Sequence, residues 1–144
     1  MLDAHDSPVG PSPVDTVRAW LAAVTTGDVE AALTLTVPVV AIVGPRGVGR
    51  GHAVLRAWMR HAGATFVTWA TYARGDVVIV AQHGVWRDLA TAVVIGEADV
   101  ATRFVVRDAQ VAELERYGDL AAALAAAGLS LDDVQPPHPD DLLD

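Results

Sequence analysis

In the run Val17-Arg18-Ala19-Trp20-Leu21-Ala22-Ala23-Val24-Thr25-Thr26-Gly27-Asp28-Val29-Glu30, two helical signals meet at a glycine. Val14, Val17, Leu21 and Val24 recur at three- and four-residue steps with Trp20 beside them, which makes one apolar helical stripe. Upstream, Ser12 is placed to cap this helix and Asp15 completes a capping-box spacing. Pro13 suits the first turn because the N–H it lacks is unpaired there in any residue. Gly27 ends the helix, and Asp28 caps a second, shorter one from Val29 to about Thr36. Pro38 stops it, since the residue before a proline is pushed out of the helical region. The chain thus opens with a helical hairpin.

Beyond the hairpin, 39–43 is a short β-branched strand, and the glycines and proline of 44–51 form a turn-rich connection with one brief strand. A third helix is expected over 52–62. Its inward stripe is Val54, Leu55, Trp58 and Ala62, with His52, Arg56 and Arg60 on the other side and Gly63 as its stop. The pattern then turns to β. Segments 64–74, 76–87, a stretch within 91–107, and 110–117 are rich in Val, Thr and aromatics and are separated by turn pairs such as Gly75-Asp76 and Asp108-Ala109. They are expected to form an antiparallel meander. Asp119 caps a last helix, 120–127, closed by Gly128. A mobile arm (1–11) and an acidic, proline-rich, solvated tail (130–144) flank a single domain, 12–129.

Composition narrows the function classes. In 144 residues, 52% are hydrophobic and 19% charged, enough apolar material for one real core. The net charge is −8, but five of the 18 acids follow Leu129, so the body carries thirteen acids against ten bases. Without a basic cluster, neither nucleic acid nor an anionic membrane is an expected partner. The absence of cysteine excludes disulfides, thiolate nucleophiles and cysteine-bound zinc. Residues 1–13 hold no basic segment followed by an apolar run, and a soluble, cytoplasmic protein is expected. All ten bases are arginine, which points to a GC-rich bacterial genome.

Helix hairpin, short strand, third helix and curved antiparallel sheet, in that order, resemble the nuclear transport factor 2-like superfamily, which includes SnoaL-like polyketide cyclases, ketosteroid isomerases and limonene epoxide hydrolases. The resemblance is carried by the hairpin run above, by Gly49-Arg50-Gly51 opening helix three, and by Gln110-Val111-Ala112-Glu113-Leu114-Glu115-Arg116-Tyr117-Gly118-Asp119-Leu120. It implies an α+β fold: a cone-shaped, strongly curved mixed or antiparallel sheet closed by three N-terminal helices, with a short C-terminal helix, as in cystatin-like α+β rolls. It also implies an apolar pocket between helices and sheet that suits a small hydrophobic ligand. The scaffold does not dictate the reaction, because it hosts isomerases, hydrolases, cyclases and non-catalytic domains.

The positions that match the isomerases' catalytic residues are Gly44 for the base, Trp20 for the tyrosine and Thr102 for the second acid. None can take those roles. The positions that match the epoxide hydrolases' set hold Gln82, Gly84, Arg116, Ile42 and Gly44, which leave no base to activate water. No catalytic residue, cofactor or metal site is therefore expected. What the resemblance does imply is a ligand wall of Trp20, Gln82, Trp86, Thr102, Phe104 and Arg116. Arg116 has two readings: a planar fork for a ligand carboxylate, with Gln82, Trp20 and Trp86 around an aromatic or amphipathic acid, or a surface partner of Asp119 or Asp28.

Histidines offer little chemistry. His52 and His61 are nine residues apart on one helix, about half a revolution, so they cannot share a metal. His5 and His138 lie in the flanking segments, and His83 falls by alternation on the outer side of the sheet. That outer side also carries Val77, Ile79, Ala81, Val85 and Val105, with Asp99, Arg103 and Glu113 as polar contacts. Two apolar faces on one sheet call for a cover, and a homodimer is expected. Three function classes remain: a binding domain for a small hydrophobic or amphipathic molecule; an isomerase, cyclase or hydrolase with non-standard residues; and a protein-interaction module.

Overall fold

The computed structural model describes residues 11–44, 47–62 and 64–136. Most of the N-terminal arm with His5, Gly63, the end of the tail with His138, and the side chains of Arg60, His61, Ala62 and Ala64 lie outside the described residues. Helix α1 (Pro13–Thr26) begins at the capping box: Asp15 N–H donates to Ser12 Oγ at 3.1 Å and Ser12 N–H to the Asp15 carboxylate. It ends at Gly27, whose φ of 73° is the left-handed conformation open to glycine. Asp28 then caps α2 (Val29–Thr34) through Ala31 N–H.

Strand β1 (Thr36–Gly44) starts earlier than the proline rule places it, and Pro38 sits inside it. The ladder to β6 (Gln110–Tyr117) explains why. Thr36 pairs with Val111 and Ala41 with Glu113, and the register shifts in between, so the missing N–H of Pro38 falls where the parallel ladder is broken. After β2 (Gly47–Arg50) and α3 (His52–Ala62) come β3 (Ala64–Arg74), β4 (Val77–Arg87), β5 (Val94–Arg107) and β6, each antiparallel to the next. The meander is as expected. The whole is a six-stranded, curved, unclosed mixed sheet in the order β2-β1-β6-β5-β4-β3.

Strand alternation makes the sheet two-faced. Val78, Val80, Phe104, Val106 and Leu114 enter the core on the concave side, against Val17 and Trp20 of α1, Leu33 of α2 and Leu55 of α3. Trp20 packs edge-on to Phe104 at 5.3 Å between ring centroids and stacks on Trp58 at 6.4 Å. Its indole N–H donates to Thr36 Oγ1, which donates to Ala32 O. His52 Nε2 bonds Thr36 O, and Arg56 reaches Glu30 across α2 and α3.

The convex side holds a second cluster in which Ala123 and Leu124 of α4 (Leu120–Ala127) cover Tyr72, Ile79 and Ala101. Part of the apolar outer face is thus buried by the chain's own last helix. Arg103 pairs there with Glu113 and Glu115 of its own chain, and Asp99 with His83. The tail departs from the solvated segment expected of it. Ser130 and Asp133 form a capping box, Val134 bridges to Tyr72, and Gln135 N–H donates to Thr71 O at 2.7 Å. Arg74 grips Asp133 at 2.7 Å, and Arg18 donates to Pro136 O. β3 is an edge strand, so this strap gives partners to backbone groups that the sheet leaves open.

Trp20→Phe removes the bond to Thr36 and part of the ring contact without opening the cone. It is expected to lower the unfolding free energy by about 1–3 kcal/mol in urea denaturation.

Candidate functional site

Opposed residues across the meander set the site. On the concave side Phe66 of β3 faces Gly84 of β4, Thr68 faces Gln82, and Val80 faces Thr102, which in turn faces Arg116 of β6. Gly84 is the residue that makes this arrangement possible. A Cβ there would lie 2.7 Å from Cη2 of Trp86 and 3.0 Å from Cε1 of Phe66. The empty position lets the two rings meet edge to face, with centroids 5.7 Å apart and planes at 89°.

The guanidinium of Arg116 rests on this pair. Its Cζ is 4.8 Å from the Phe66 centroid, 5.7 Å from Trp86 and 5.9 Å from Trp58 of α3. Among the described residues no carboxylate or other acceptor bonds it, and its Nε is buried without a partner. Burial pushes its pKa down from the ordinary arginine value, yet the group stays charged because a guanidinium is not deprotonated in a protein. Taking such a charge out of water costs several kcal/mol. Each ring returns about 0.5–2 kcal/mol by cation–π attraction, and the N–H groups remain without an acceptor. The surface reading of Arg116 does not hold. Asp119 and Asp28 accept from Ala122 N–H and Ala31 N–H at the starts of α4 and α2.

Of the six residues expected on the ligand wall, Gln82, Thr102, Trp86 and Arg116 share the concave face. Thr102 donates to Gln82 Oε1 at 3.4 Å and Gln82 donates to Thr68 Oγ1 at 3.3 Å, both long bonds that hold the amide loosely. Gln82 and Thr102 are themselves buried, at 1% and 4% exposure, and Trp20 and Phe104, at 2% and 0%, pack against each other in the hydrophobic core. Phe66 and Trp58 take their place around Arg116. Trp58 was legible as inward on its helix; Phe66 is signalled only by the glycine opposite it.

Two openings flank the ring cluster. A groove of about 670 Å³ runs between α1 and β3, with Val17, Leu21, Phe66 and Val80 as apolar lining, Thr68 and Thr71 as hydroxyls, and Asp15 and Arg18 of α1 as charged groups. A second cleft, also about 670 Å³, lies under the β4–β5 hairpin and is lined by Trp58, Trp86, Leu89 and Ile95. Both are of ligand size. On the opposite face His83 is held between Asp99 at 2.9 Å and Glu97 at 3.0 Å, and these bonds, the Asp99 one foremost, raise its pKa above the ordinary histidine value. It takes no part in the concave site. No group of three or more His, Asp or Glu able to hold a metal occurs among the described residues, and no described helix is long and apolar enough to cross a membrane.

Gly84→Ala must push Trp86 and Phe66 apart. A loss of about 1–3 kcal/mol in thermal unfolding is expected, together with a changed tryptophan emission spectrum that a merely surface glycine would not produce.

No family model and no curated protein matches the sequence. Solved structures do. An NTF2-like protein of unknown function from Cytophaga hutchinsonii ATCC 33406 superposes with a TM-score of 0.67 at 15% identity, over 81% of this chain and 97% of that one. An NTF2-like protein from Burkholderia xenovorans LB400 is 26% identical, with a TM-score of 0.63 over 80% and 94%. TerC, co-crystallised with polyporic acid, is 21% identical, with a TM-score of 0.65 over 82% and 98%. Helices on the concave face, the mixed six-stranded order and these superpositions agree that the chain has the nuclear transport factor 2-like fold.

Proposed function

We propose that this protein, through its domain 12–129, binds a small hydrophobic or amphipathic molecule on the concave face of the sheet. The observation that carries the reading is the groove between α1 and β3, apolar along Val17, Leu21, Phe66 and Val80 and edged by the hydroxyls of Thr68 and Thr71. A wall of that kind takes up an apolar body and orients it by a few polar contacts. That TerC was crystallised with an organic acid supports the reading by analogy of fold. Binding rather than turnover is favoured because the groove's carboxylate, Asp15, is engaged in the capping box of α1, its Arg18 donates to Pro136 O, and Arg116, the charged residue among the described strand residues of the concave face, neither gives nor takes a proton near neutral pH. Thermal shift and tryptophan fluorescence with a panel of naphthyl compounds test it. Saturable binding at one molecule per chain, abolished by the groove-filling Leu21→Trp, is expected. Failure of the whole panel to saturate refutes the reading, and turnover of a bound compound transfers it to the enzyme class.

We also propose that two copies pair through the outer face of β3 and β4. Val67, which also borders the groove, and Trp69, at the break in the β3–β4 register, remain 65% and 59% exposed, outside the cluster that α4 covers. Light scattering at micromolar concentration is expected to give the mass of a dimer, and that of a monomer for Val67→Glu combined with Trp69→Ser. A monomeric wild type rules the pairing out.

A further inference from the structure

The caged guanidinium defines what kind of molecule fits, and the inference rests on the binding reading above. Phe66, Trp86 and Trp58 come from three different elements and converge on one cation, which meets aromatic rings where an ordinary arginine meets a carboxylate. Nε has neither solvent nor partner, and among the described residues no acceptor bonds the rest of the fork. The acids nearest in sequence are engaged: Glu115 with Arg103 and Tyr117, Asp119 at the start of α4. On the opposite face of the sheet Arg103 is paired with two carboxylates, those of Glu113 and Glu115. Arg116 lacks what Arg103 has.

We infer that Arg116 is the anion-binding residue of the site and that its ligand is a monocarboxylate on a flat apolar body, the carboxylate accepting from the guanidinium edge while the body lies against the aromatic cluster. One buried guanidinium without a bonded acceptor among the described residues, resting on rings that themselves line two clefts, matches one negative charge. A phosphate dianion asks for more donors than the site offers, and an organic cation meets repulsion from the guanidinium. Bidentate N–H donation is directional, so the plane of the bound carboxylate follows that of the guanidinium.

Calorimetric titration of the full chain with 2-naphthoate, 2-naphthamide, 2-naphthylmethylamine and 2-naphthyl phosphate separates the outcomes. Charge-assisted bonds predict that the naphthoate binds about 10- to 100-fold more tightly than the amide, with the amine weaker still. Arg116→Gln is expected to erase that preference and leave the amide affinity within about threefold; Arg116→Lys, which keeps the charge but not the fork, restores part of it. Affinity for naphthoate is expected to stay level from neutral to mildly alkaline pH and to fall once the ligand's own carboxyl is protonated, because arginine does not titrate in that range. Equal affinities for all four compounds overturn the assignment while leaving the binding site standing; absence of binding by any removes both. A preference for the phosphate overturns the carboxylate assignment, and a preference that survives in Arg116→Gln and Arg116→Lys places the anion elsewhere. If the glutamine variant does not fold, the lysine variant decides: an unchanged naphthoate-to-amide ratio overturns the proposal.

Discussion

The indole of Trp20 touches every layer of the concave half of the molecule. Its face meets Trp58 of α3, its edge meets Phe104 of β5, and its N–H reaches Thr36, where α2 gives way to β1. Helices α1 and α3 and strands β1 and β5 thus meet at this one side chain. That junction leaves room for the aromatic pair Phe66 and Trp86 farther along the concave face, and brings Trp58 over Arg116. The packing of the core and the shape of the site are therefore one problem: a smaller residue at position 20 lets the helices settle, and the space around Arg116 changes with them.

Gly84 plays the complementary part on the sheet. Its missing Cβ is the volume into which Trp86 and Phe66 lean, and the rings in turn form the shelf for the guanidinium. A charge without a counter-ion is tolerated there because aromatic quadrupoles attract it from several sides, an arrangement that leaves its hydrogen-bonding edge unused. Arg103, only thirteen residues earlier and on the opposite face, shows the ordinary solution, with two glutamates of the neighbouring strand. The contrast between the two arginines lies in their surroundings and not in their residue type.

Much of the architecture was legible because it is written in short-range signals. Ser12 with Asp15, Gly27 with Asp28, and Asp119 with Gly128 each act within a turn or two of chain, and each caps where it was expected to. Pro38 misled by the same locality: it ends helices, but whether it also bars a strand depends on where the ladder to β6 is broken. The tail misled too. Its prolines and aspartates have the composition of a solvated segment, whereas Arg74, Tyr72 and Thr71 of an open edge strand give 130–136 a place to bind.

Alternation along the strands was enough to put Gln82, Thr102, Trp86 and Arg116 on one face, because the period of two is a property of the extended backbone itself. It could not tell how deeply each residue on that face is buried. Trp20 and Phe104 went to the core because α1 packs close above β5, and the cage around Arg116 formed because residues 58, 66 and 86 converge on it from elements far apart in sequence. Periodicity and capping act between near neighbours and so belong to the sequence alone. Depth of burial, the meeting of aromatic rings and the lack of a partner for a charge depend on distances between elements, and those distances exist only once the sheet has curved and the helices have closed over it.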